Sequence, residues 1–319
     1  MKITLLNPLE VDEKIIIDNK NKLEEAGHEF VFYDDIAKDD QEIINRLSDS
    51  DIAIITNKKL SADVINACKN LKMIDVAFTG VDHVDLKAVK ENNIKLLNAS
   101  GYSDDSVAEL VIGLSLAIMR KFDENRKNIF EKTNFPLMGE TLKNKKFGVI
   151  GTGKIGKKLI QMLKVFDCQI LAYSRSEKEE IRNMGVKYVD LDTLLKESDL
   201  ISLHIPNNEN TKKFLAKSKL DLLKDQAILI NCARGPVVDN EYLAKLLNEG
   251  KIRAGIDVFD MEPPLPDDYP LRNAKNVILT NHVGFYTKEA MENRAEIVFN
   301  NLYEYLKGNI VNEIKLWQI

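Results

Sequence analysis

The sequence predicts an α/β protein with two domains, each built around a doubly wound parallel sheet. Short aliphatic and β-branched runs alternate with amphipathic helical patterns from the first residues onward, and this alternation is typical of parallel sheets. The chain has 319 residues, more than the roughly 250–300 that one hydrophobic core usually serves. A long apolar helix after Gly101 interrupts the alternation, so one sheet is expected on each side of it in the sequence.

The first series of elements begins at Lys2. Its strands are predicted from composition and flanking turn signals as Lys2–Leu6, Glu29–Tyr33, Ile52–Thr56, Met73–Phe78 and Ile94–Leu97. The helices between them have suitable starts or stops and are predicted as Val11–Ala26, Gln41–Leu47 and a helix capped by Ser61 that extends to Lys69. Ser103 is the candidate N-cap of the long apolar helix, and a domain boundary is therefore predicted after residue 100.

A second series follows the apolar helix. Its strands are predicted as Lys146–Ile150, Ile170–Tyr173, Lys187–Val189, Leu200–Leu203, Ala227–Asn231, Ala254–Val258 and Val277–Thr280. One more amphipathic helix, Lys288–Lys307, is long enough to return to the first sheet. The expected domains are therefore a discontinuous one over residues 1–100 and 287–319 and a continuous one over residues 101–286.

The composition excludes several classes of protein. The chain has 45 basic and 50 acidic side chains and a formal net charge of -5, so it carries no positive excess for a nucleic-acid backbone. Hydrophobic residues make up 44%, which is too much for a disordered chain. The three cysteines are far apart and form no metal-binding motif, and no segment has the length of a membrane span. We expect a cytoplasmic protein without a metal site and without nucleic-acid or membrane partners.

A glycine-rich segment, Gly151–Gly156, lies between an apolar strand and a helix extending to Val165. In this context the G-x-G-x-x-G spacing is the fingerprint of a dinucleotide-binding Rossmann fold. The first glycine allows a tight turn, the second lets the backbone approach a pyrophosphate, and the third permits close helix–strand contact, while the helix N-terminus stabilises the anion. The residues expected to contact the cofactor here are Gly151, Gly153, Lys154, Ile155 and Gly156.

The end of the next strand bears on the choice of dinucleotide. NAD sites usually place an Asp or Glu there to accept hydrogen bonds from the ribose, whereas this chain has Ser174, Arg175 and Ser176. An arginine pairs with a 2′-phosphate through charge-assisted hydrogen bonds, and the serines add hydroxyl donors. NADP(H) is therefore the favoured cofactor. NAD(H) stays open if Arg175 is only a surface residue and Glu177 or another group serves the ribose.

Three later segments resemble a known family. Asn231–Gly235, Gly255–Pro264 and Asn281–Gly284 each follow a strand and carry an Arg, a Glu and a His. Together with the glycine fingerprint they resemble the D-isomer-specific 2-hydroxyacid dehydrogenases, over almost the whole chain. The resemblance implies that residues 101–286 form the Rossmann dinucleotide-binding domain and that the discontinuous domain is a flavodoxin-like substrate domain. It also implies hydride transfer between a nicotinamide cofactor and a 2-oxo or 2-hydroxy acid of D configuration.

The resemblance assigns roles to individual residues. It implies that Arg234 orients the substrate carboxylate and carbonyl oxygen, that His282 is the general acid/base, and that Glu262 pairs with this histidine. Further cofactor contacts are expected from His204, Pro206, Cys232, Ala233 and Asp257. Further substrate contacts are expected from Thr79, Gly80, Val81, Tyr102 and Phe285, with the backbone N–H groups of Gly80 and Val81 facing the carboxylate.

Departures from the family and competing interpretations remain. The residue before the catalytic histidine is Asn281, where the family usually has proline. The alternative function is a dinucleotide-sensing binding protein similar to the corepressors that share this fold, although the intact Arg, Glu and His set argues against it. Formate dehydrogenase is disfavoured because it would be expected to pair its histidine with glutamine rather than Glu262. The apolar helix from Ser103 to Met119 resembles the dimerisation helix of the family, so a homodimer is expected.

Overall fold

The computed structural model of the chain describes residues 1–132 and 135–315. The chain divides into two compact units. The first unit comprises Met1–Ser103 and Thr287–Ile319, and the second comprises Asp104–Tyr286. The boundary between them thus falls after Ser103 rather than after residue 100.

The N-terminal part of the first unit alternates strands and helices. In chain order these are β1 (Lys2–Leu5), α1 (Glu13–Glu25), β2 (Glu29–Phe32), α2 (Asp40–Leu47), β3 (Ile52–Ile55), α3 (Ala62–Ala67), β4 (Met73–Val76), α4 (Leu86–Glu91) and β5 (Lys95–Asn98). Each of these helices has an N-cap side chain that accepts a hydrogen bond from a backbone N–H of the first turn, namely Asp12, Asp39, Ser61 and Asp85.

The second unit and the C-terminal helix complete the chain. The elements in order are α5 (Asp104–Met119), α6 (Phe122–Phe130), β6 (Lys146–Ile150), α7 (Lys154–Leu163), β7 (Gln169–Tyr173), α8 (Glu179–Arg182), β8 (Lys187–Tyr188), α9 (Leu191–Glu197), β9 (Leu200–Leu203), α10 (Lys217–Leu220), β10 (Ile228–Asn231), α11 (Asn240–Asn248), β11 (Arg253–Ile256), β12 (Val277–Leu279) and α12 (Lys288–Leu306). The last of these helices belongs to the first unit.

The prediction of two doubly wound parallel sheets is confirmed. The first sheet has the order β2-β1-β3-β4-β5, with every pair parallel, which is the flavodoxin-like order. The second has the order β12-β11-β10-β9-β6-β7-β8, again all parallel, and contains the Rossmann order with one added strand. Its strand order reverses direction between β6 and β9, so a ligand site is expected at the carboxyl ends of those strands.

Several element ends differ from the predicted ones. The strand predicted over Met73–Phe78 ends at Val76, although the N–H of Ala77 still donates to Ile55 O at 2.7 Å. The helix predicted to reach Lys69 ends at Ala67, and the first helix begins at Glu13 because Asp12 caps it. Such shifts are small because composition locates the core of an element better than its ends.

Helix α12 packs on the first sheet through a buried polar contact. Asn301 Nδ2 donates to Asp75 Oδ1 of β4 and to the carbonyl oxygen of Asn98, each at 3.1 Å. Asp75 is 0% exposed, and burial raises the pKa of its carboxyl group to about 7. Beyond this helix, the N–H of Ile314 donates to Leu96 O at 2.8 Å, so the C-terminal segment lies along the edge strand β5.

The second sheet is covered by a hydrophobic core on each face. One core contains residues of α5 and α7, including Val111, Leu114 and Leu159, and the other contains residues of α9 and α11, including Leu194 and Leu243. The interiors of β6, β9 and β10 are therefore buried on both sides. No helix in the described part of the chain is long and apolar enough to span a membrane.

Candidate active site

The glycine-rich segment forms an open cradle at the end of β6. Gly151 has a φ of +97°, and a Cβ atom there would lie 2.4 Å from the carbonyl oxygen of His204. A Cβ atom on Gly156 would lie 2.0 Å from the carbonyl oxygen of Gly151, so α7 packs closely against the turn. A Cβ atom on Gly153, by contrast, would meet nothing within 4 Å. The turn is closed on its protein side and open above the N-terminus of α7, which fits a bound pyrophosphate.

The loop after β7 carries Ser174, Arg175 and Ser176. The Arg175 side chain is exposed, and no described residue forms a hydrogen bond or ion pair with it. The nearby carboxylate of Glu177 pairs with Arg182 of α8. The loop therefore presents an uncompensated guanidinium, while its acidic residue is already neutralised.

His204 follows β9 and lies beside the cradle. Its ring Nε2 is 2.9 Å from Ser202 Oγ, and burial lowers the pKa of the imidazole to about 4. The ring is therefore neutral at physiological pH, which suits a positioning group rather than an acid. Pro206 supplies a carbonyl oxygen that accepts a hydrogen bond from Thr211 Oγ1 at 2.6 Å and fixes the loop.

Arg234 lies in a rigid loop at the carboxyl end of β10. The buried Asn231 accepts a hydrogen bond from Ala233 N and donates one to Arg234 O, both at 3.0 Å. The next residue is Gly235, and only glycine fits there because a Cβ atom would lie 2.0 Å from the backbone of Phe259. The backbones of the loops after β10 and β11 are thus in close contact. The backbone of Arg234, from which its side chain extends, is fixed by these contacts.

The neighbouring Cys232 is buried against the core, which raises the pKa of its thiol. Its side chain therefore belongs to the core, and a contact with a cofactor would come from its backbone. Ala233 is half-buried in the same loop.

His282 and Glu262 form a pair within the second unit. The ring Nδ1 lies 2.8 Å from Glu262 Oε2 and 3.0 Å from Oε1. The His282 side chain is 29% exposed, and Phe285 packs against its ring edge to face with centroids 5.3 Å apart. Because the carboxylate occupies Nδ1, the second ring nitrogen, Nε2, lies on the side of the ring away from Glu262.

Asp257 holds the turn that carries the histidine. Its buried carboxylate accepts hydrogen bonds from Thr280 Oγ1 at 2.6 Å and from the backbone N–H groups of Val283 and Gly284, each at 2.8 Å. His282 itself has a left-handed φ of +53°, a conformation that needs support for a residue other than glycine. The carboxylate thus joins the end of β11 to the turn after β12.

In the first unit, the loop after β4 presents free backbone donors. The N–H groups of Gly80 and Val81 donate to no described residue. Thr79 O accepts a hydrogen bond from Asn98 Nδ2 at 2.7 Å, which fixes the loop to the next strand. Tyr102 is buried and packs edge to face on Phe78 with centroids 6.0 Å apart, so its ring belongs to the core of this unit.

Comparison with known proteins identifies the family. Residues 112–284 match the family described as D-isomer specific 2-hydroxyacid dehydrogenase, NAD binding domain. The chain belongs to this family. A glyoxylate reductase of Thermofilum pendens is 37% identical over 280 residues, covering 85% of this chain and 82% of the relative. A hydroxypyruvate reductase of Thermotoga maritima is 37% identical over 296 residues, covering 91% of this chain and 93% of the relative.

A solved structure described as an acyclic imino acid reductase in complex with NADPH and D-Arg is similar to this dehydrogenase. The match covers 99% of the present chain and 100% of the chain of the reductase. The TM-score is 0.88 and the sequence identity is 31%. The predicted family membership is confirmed, and the protein is a nicotinamide-dependent oxidoreductase of 2-oxo and 2-hydroxy acids. The dinucleotide-sensing alternative is not favoured.

Three residues of this dehydrogenase site escaped the sequence analysis. Asn231 fixes the arginine loop, and its sequence signal is that it is a polar residue at the end of an apolar strand. Thr280, at the end of the neighbouring strand β12, supports Asp257, and Ser202 of β9 supports His204 two residues later in the chain. Their hydroxyls carry no distinctive sequence signal, because threonine and serine are common in strands and at strand ends.

Proposed function

We propose that the protein reduces a small 2-oxo acid to the D-2-hydroxy acid with NADPH. The observation that carries this proposal is the His282–Glu262 pair, held by Asp257, in the same unit as the open glycine cradle. A nicotinamide held at the glycine cradle would supply a hydride to the carbonyl carbon. His282 Nε2 gives its proton to the carbonyl oxygen, and Glu262 orients the ring through its hydrogen bond to Nδ1. In the oxidative direction His282 takes the proton back.

The substrate carboxylate needs fixed donors. Arg234 provides a planar guanidinium that binds a carboxylate through two hydrogen bonds, and the Asn231 contacts fix the backbone from which it extends. The unengaged N–H groups of Gly80 and Val81 are proposed as further carboxylate donors. Phe285, packed on the His282 ring, is proposed to contact the substrate side chain.

The preference for NADPH rests on Arg175. Its guanidinium has no partner among the described residues, and the adjacent Glu177 is neutralised by Arg182. A 2′-phosphate would form charge-assisted hydrogen bonds with Arg175. The only carboxylate of this loop, Glu177, is already paired with Arg182 and does not remain free to bind a ribose hydroxyl. The NADPH bound to the structurally similar imino acid reductase supports the same choice.

One experiment tests both chemistry and cofactor. Oxidation of NADPH and of NADH is followed spectrophotometrically with glyoxylate, hydroxypyruvate, pyruvate, 2-oxoisocaproate and phenylpyruvate. We expect turnover with at least one acid and a lower KM for NADPH than for NADH. Arg175→Gln should raise the KM for NADPH about tenfold or more and leave that for NADH within about twofold. Lys196→Gln, which removes an exposed charge of the same unit, is the control and should change neither constant.

Two results would overturn parts of this proposal. A lower KM for NADH in the wild-type protein would refute the role of Arg175. Each acid is also assayed with and without an added amine, because a solved relative is described as an imino acid reductase. A rate that requires the amine would show reduction of a C=N bond rather than a ketone.

We further propose a homodimer. Within the second unit, α5 packs on α7 and beside β10 and β11, so most of its apolar residues already belong to the core. The neighbouring α6 has no buried residue and exposes Phe122, Ile129 and Phe130, with Phe135 and Met138 exposed after it. A second copy of the chain is the proposed cover for this apolar surface. Light scattering coupled to size exclusion should give a dimer that Ile129→Glu dissociates, and a wild-type monomer would contradict the proposal.

A further inference from the structure

One tyrosine hydroxyl connects the two loops that form the dinucleotide site. Tyr188 lies on the edge strand β8, and its hydroxyl donates to Thr152 Oγ1 at 3.0 Å. The same hydroxyl accepts a hydrogen bond from the backbone N–H of Lys178 at 3.2 Å. Thr152 is a buried residue of the glycine cradle, and Lys178 ends the loop that carries Arg175. A single OH group thus joins the pyrophosphate turn to the loop facing the ribose.

The loop of Arg175 is fixed at both ends and open in its middle. At its start, the carbonyl oxygen of Tyr173 accepts a hydrogen bond from Gly151 N at 2.8 Å. At its end, Glu177 pairs with Arg182, whose guanidinium lies 5.9 Å from the centroid of the Tyr188 ring. Between these anchors, the Arg175 side chain forms no hydrogen bond or ion pair with a described residue.

We propose that Tyr188 is a specificity-determining positioning residue, which fixes the loop so that Arg175 and its flanking serines meet the 2′-phosphate of NADPH. This inference rests on the proposed preference for NADPH. This role needs no contact between Tyr188 and the cofactor, because Tyr188 acts through the backbone at Lys178 and the side chain of Thr152. It extends the selectivity site beyond residues 174–176 to Tyr188 of strand β8.

The physical basis is preorganisation. A guanidinium binds a phosphate tightly when the loop that carries it is already ordered, since no conformational entropy is then lost on binding. Removing the hydroxyl leaves the Lys178 N–H without its acceptor and Thr152 Oγ1 without its donor, which loosens the end of the loop. A net loss of one or two hydrogen bonds corresponds to roughly a three- to tenfold weaker interaction. This loss falls on ligands that carry the 2′-phosphate, because the ribose and adenine do not depend on Arg175.

Calorimetric titration with 2′,5′-ADP and 5′-AMP tests this inference without turnover, because the two ligands differ only in the 2′-phosphate. Tyr188→Phe keeps the ring beside Arg182 and removes only the hydroxyl. We expect the dissociation constant of 2′,5′-ADP to rise about three- to tenfold and that of 5′-AMP to stay within about twofold. In steady-state assays the KM for NADPH should rise by the same factor, with kcat and the KM for NADH unchanged.

Two further variants sharpen the test. Tyr303→Phe removes a matched tyrosine hydroxyl in the first unit, where it donates to Asn19 Oδ1 at 2.7 Å, and should leave both dissociation constants unchanged. Thr152→Val removes the other end of the contact, so combining it with Tyr188→Phe should weaken binding by less than the product of the single effects.

The outcomes separate the two proposals. If wild-type protein binds 2′,5′-ADP no more tightly than 5′-AMP, the NADPH preference fails and the role of Tyr188 fails with it. If wild-type protein discriminates and Tyr188→Phe discriminates equally well, only the role of Tyr188 is refuted. Equal weakening of both ligands would also refute it, because Tyr188 would then support the pyrophosphate turn alone.

Discussion

Replacing Asp257 by asparagine tests whether its carboxylate positions the turn that carries His282, the proposed acid/base. The carboxylate accepts three hydrogen bonds, from Thr280 Oγ1, Val283 N and Gly284 N. In Asp257→Asn the amide oxygen can replace Oδ1 and accept from Thr280 Oγ1 and Val283 N. The amide NH2 would then replace Oδ2 and face the N–H of Gly284, so that two donors would meet. One charge-assisted hydrogen bond is lost and two are weakened, which costs the turn about 2–4 kcal/mol.

The predicted consequence is a misplaced His282. A displacement of about 1 Å between a catalytic group and its substrate lowers the rate roughly 100-fold. We therefore expect kcat to fall about 100-fold in Asp257→Asn, with the dissociation constant of 2′,5′-ADP within about twofold of wild type. Hydrogen exchange of the free enzyme provides a second readout, because the amides of Val283 and Gly284 should exchange faster even with no cofactor present.

A matched control separates this effect from a general loss of stability. Asp190 also accepts hydrogen bonds from a backbone N–H and a threonine hydroxyl, both of Thr193, at the N-terminus of α9. Asp190→Asn makes the same chemical change away from the histidine turn and should keep kcat within about threefold. If Asp257→Asn also keeps kcat within threefold and its turn amides exchange at the wild-type rate, the positioning role is refuted.

Three other predictions follow from the same geometry. His282→Asn, whose replacement tolerates the left-handed φ of +53°, should lower kcat at least 100-fold and leave 2′,5′-ADP binding intact in calorimetry. Gly156→Ala should abolish that binding at unchanged folding by circular dichroism, since its Cβ atom would lie 2.0 Å from Gly151 O. For Asp75, burial raises the pKa from 3.8 to about 7, so its protonation stabilises the fold fully below pH 3.8, and this contribution is lost as pH rises to about 7. Between pH 5 and pH 8 the loss is about 3 kcal/mol, and urea unfolding should show a smaller decrease for Asp75→Asn.

The sequence predicts the features that depend on local pattern. The strands Lys146–Ile150 and Leu200–Leu203 have the predicted bounds because each is a short apolar run between polar residues. The glycine cradle follows from the spacing of its glycines between a strand and a helix. The pairing of His282 with Glu262 came from a family motif and agrees with the structure at 2.8 Å.

Other features depend on contacts between distant parts of the chain. Asp75 and Asn301 lie 226 residues apart, so no local pattern reveals their buried hydrogen bond. Asp257 accepts hydrogen bonds from backbone N–H groups 26 and 27 residues later in the sequence. These bonds form only because the ends of β11 and β12 are neighbours in the sheet. Helix α6 was not predicted because it buries no residue and so lacks an alternation between buried and exposed positions.

The segment along β5 has a consequence for the behaviour of the protein in concentrated solution. Strand β5 is the last of the first sheet, and its outer backbone groups meet Asn312 and Ile314 at 3.2 and 2.8 Å. Lys95 and Glu313 add an ion pair at 3.0 Å. An uncovered strand edge is a template for pairing with another chain, so residues 312–314 protect the molecule from edge-to-edge aggregation. A tag or substitution that displaces them would expose that edge and promote precipitation while leaving the turn of His282 unchanged.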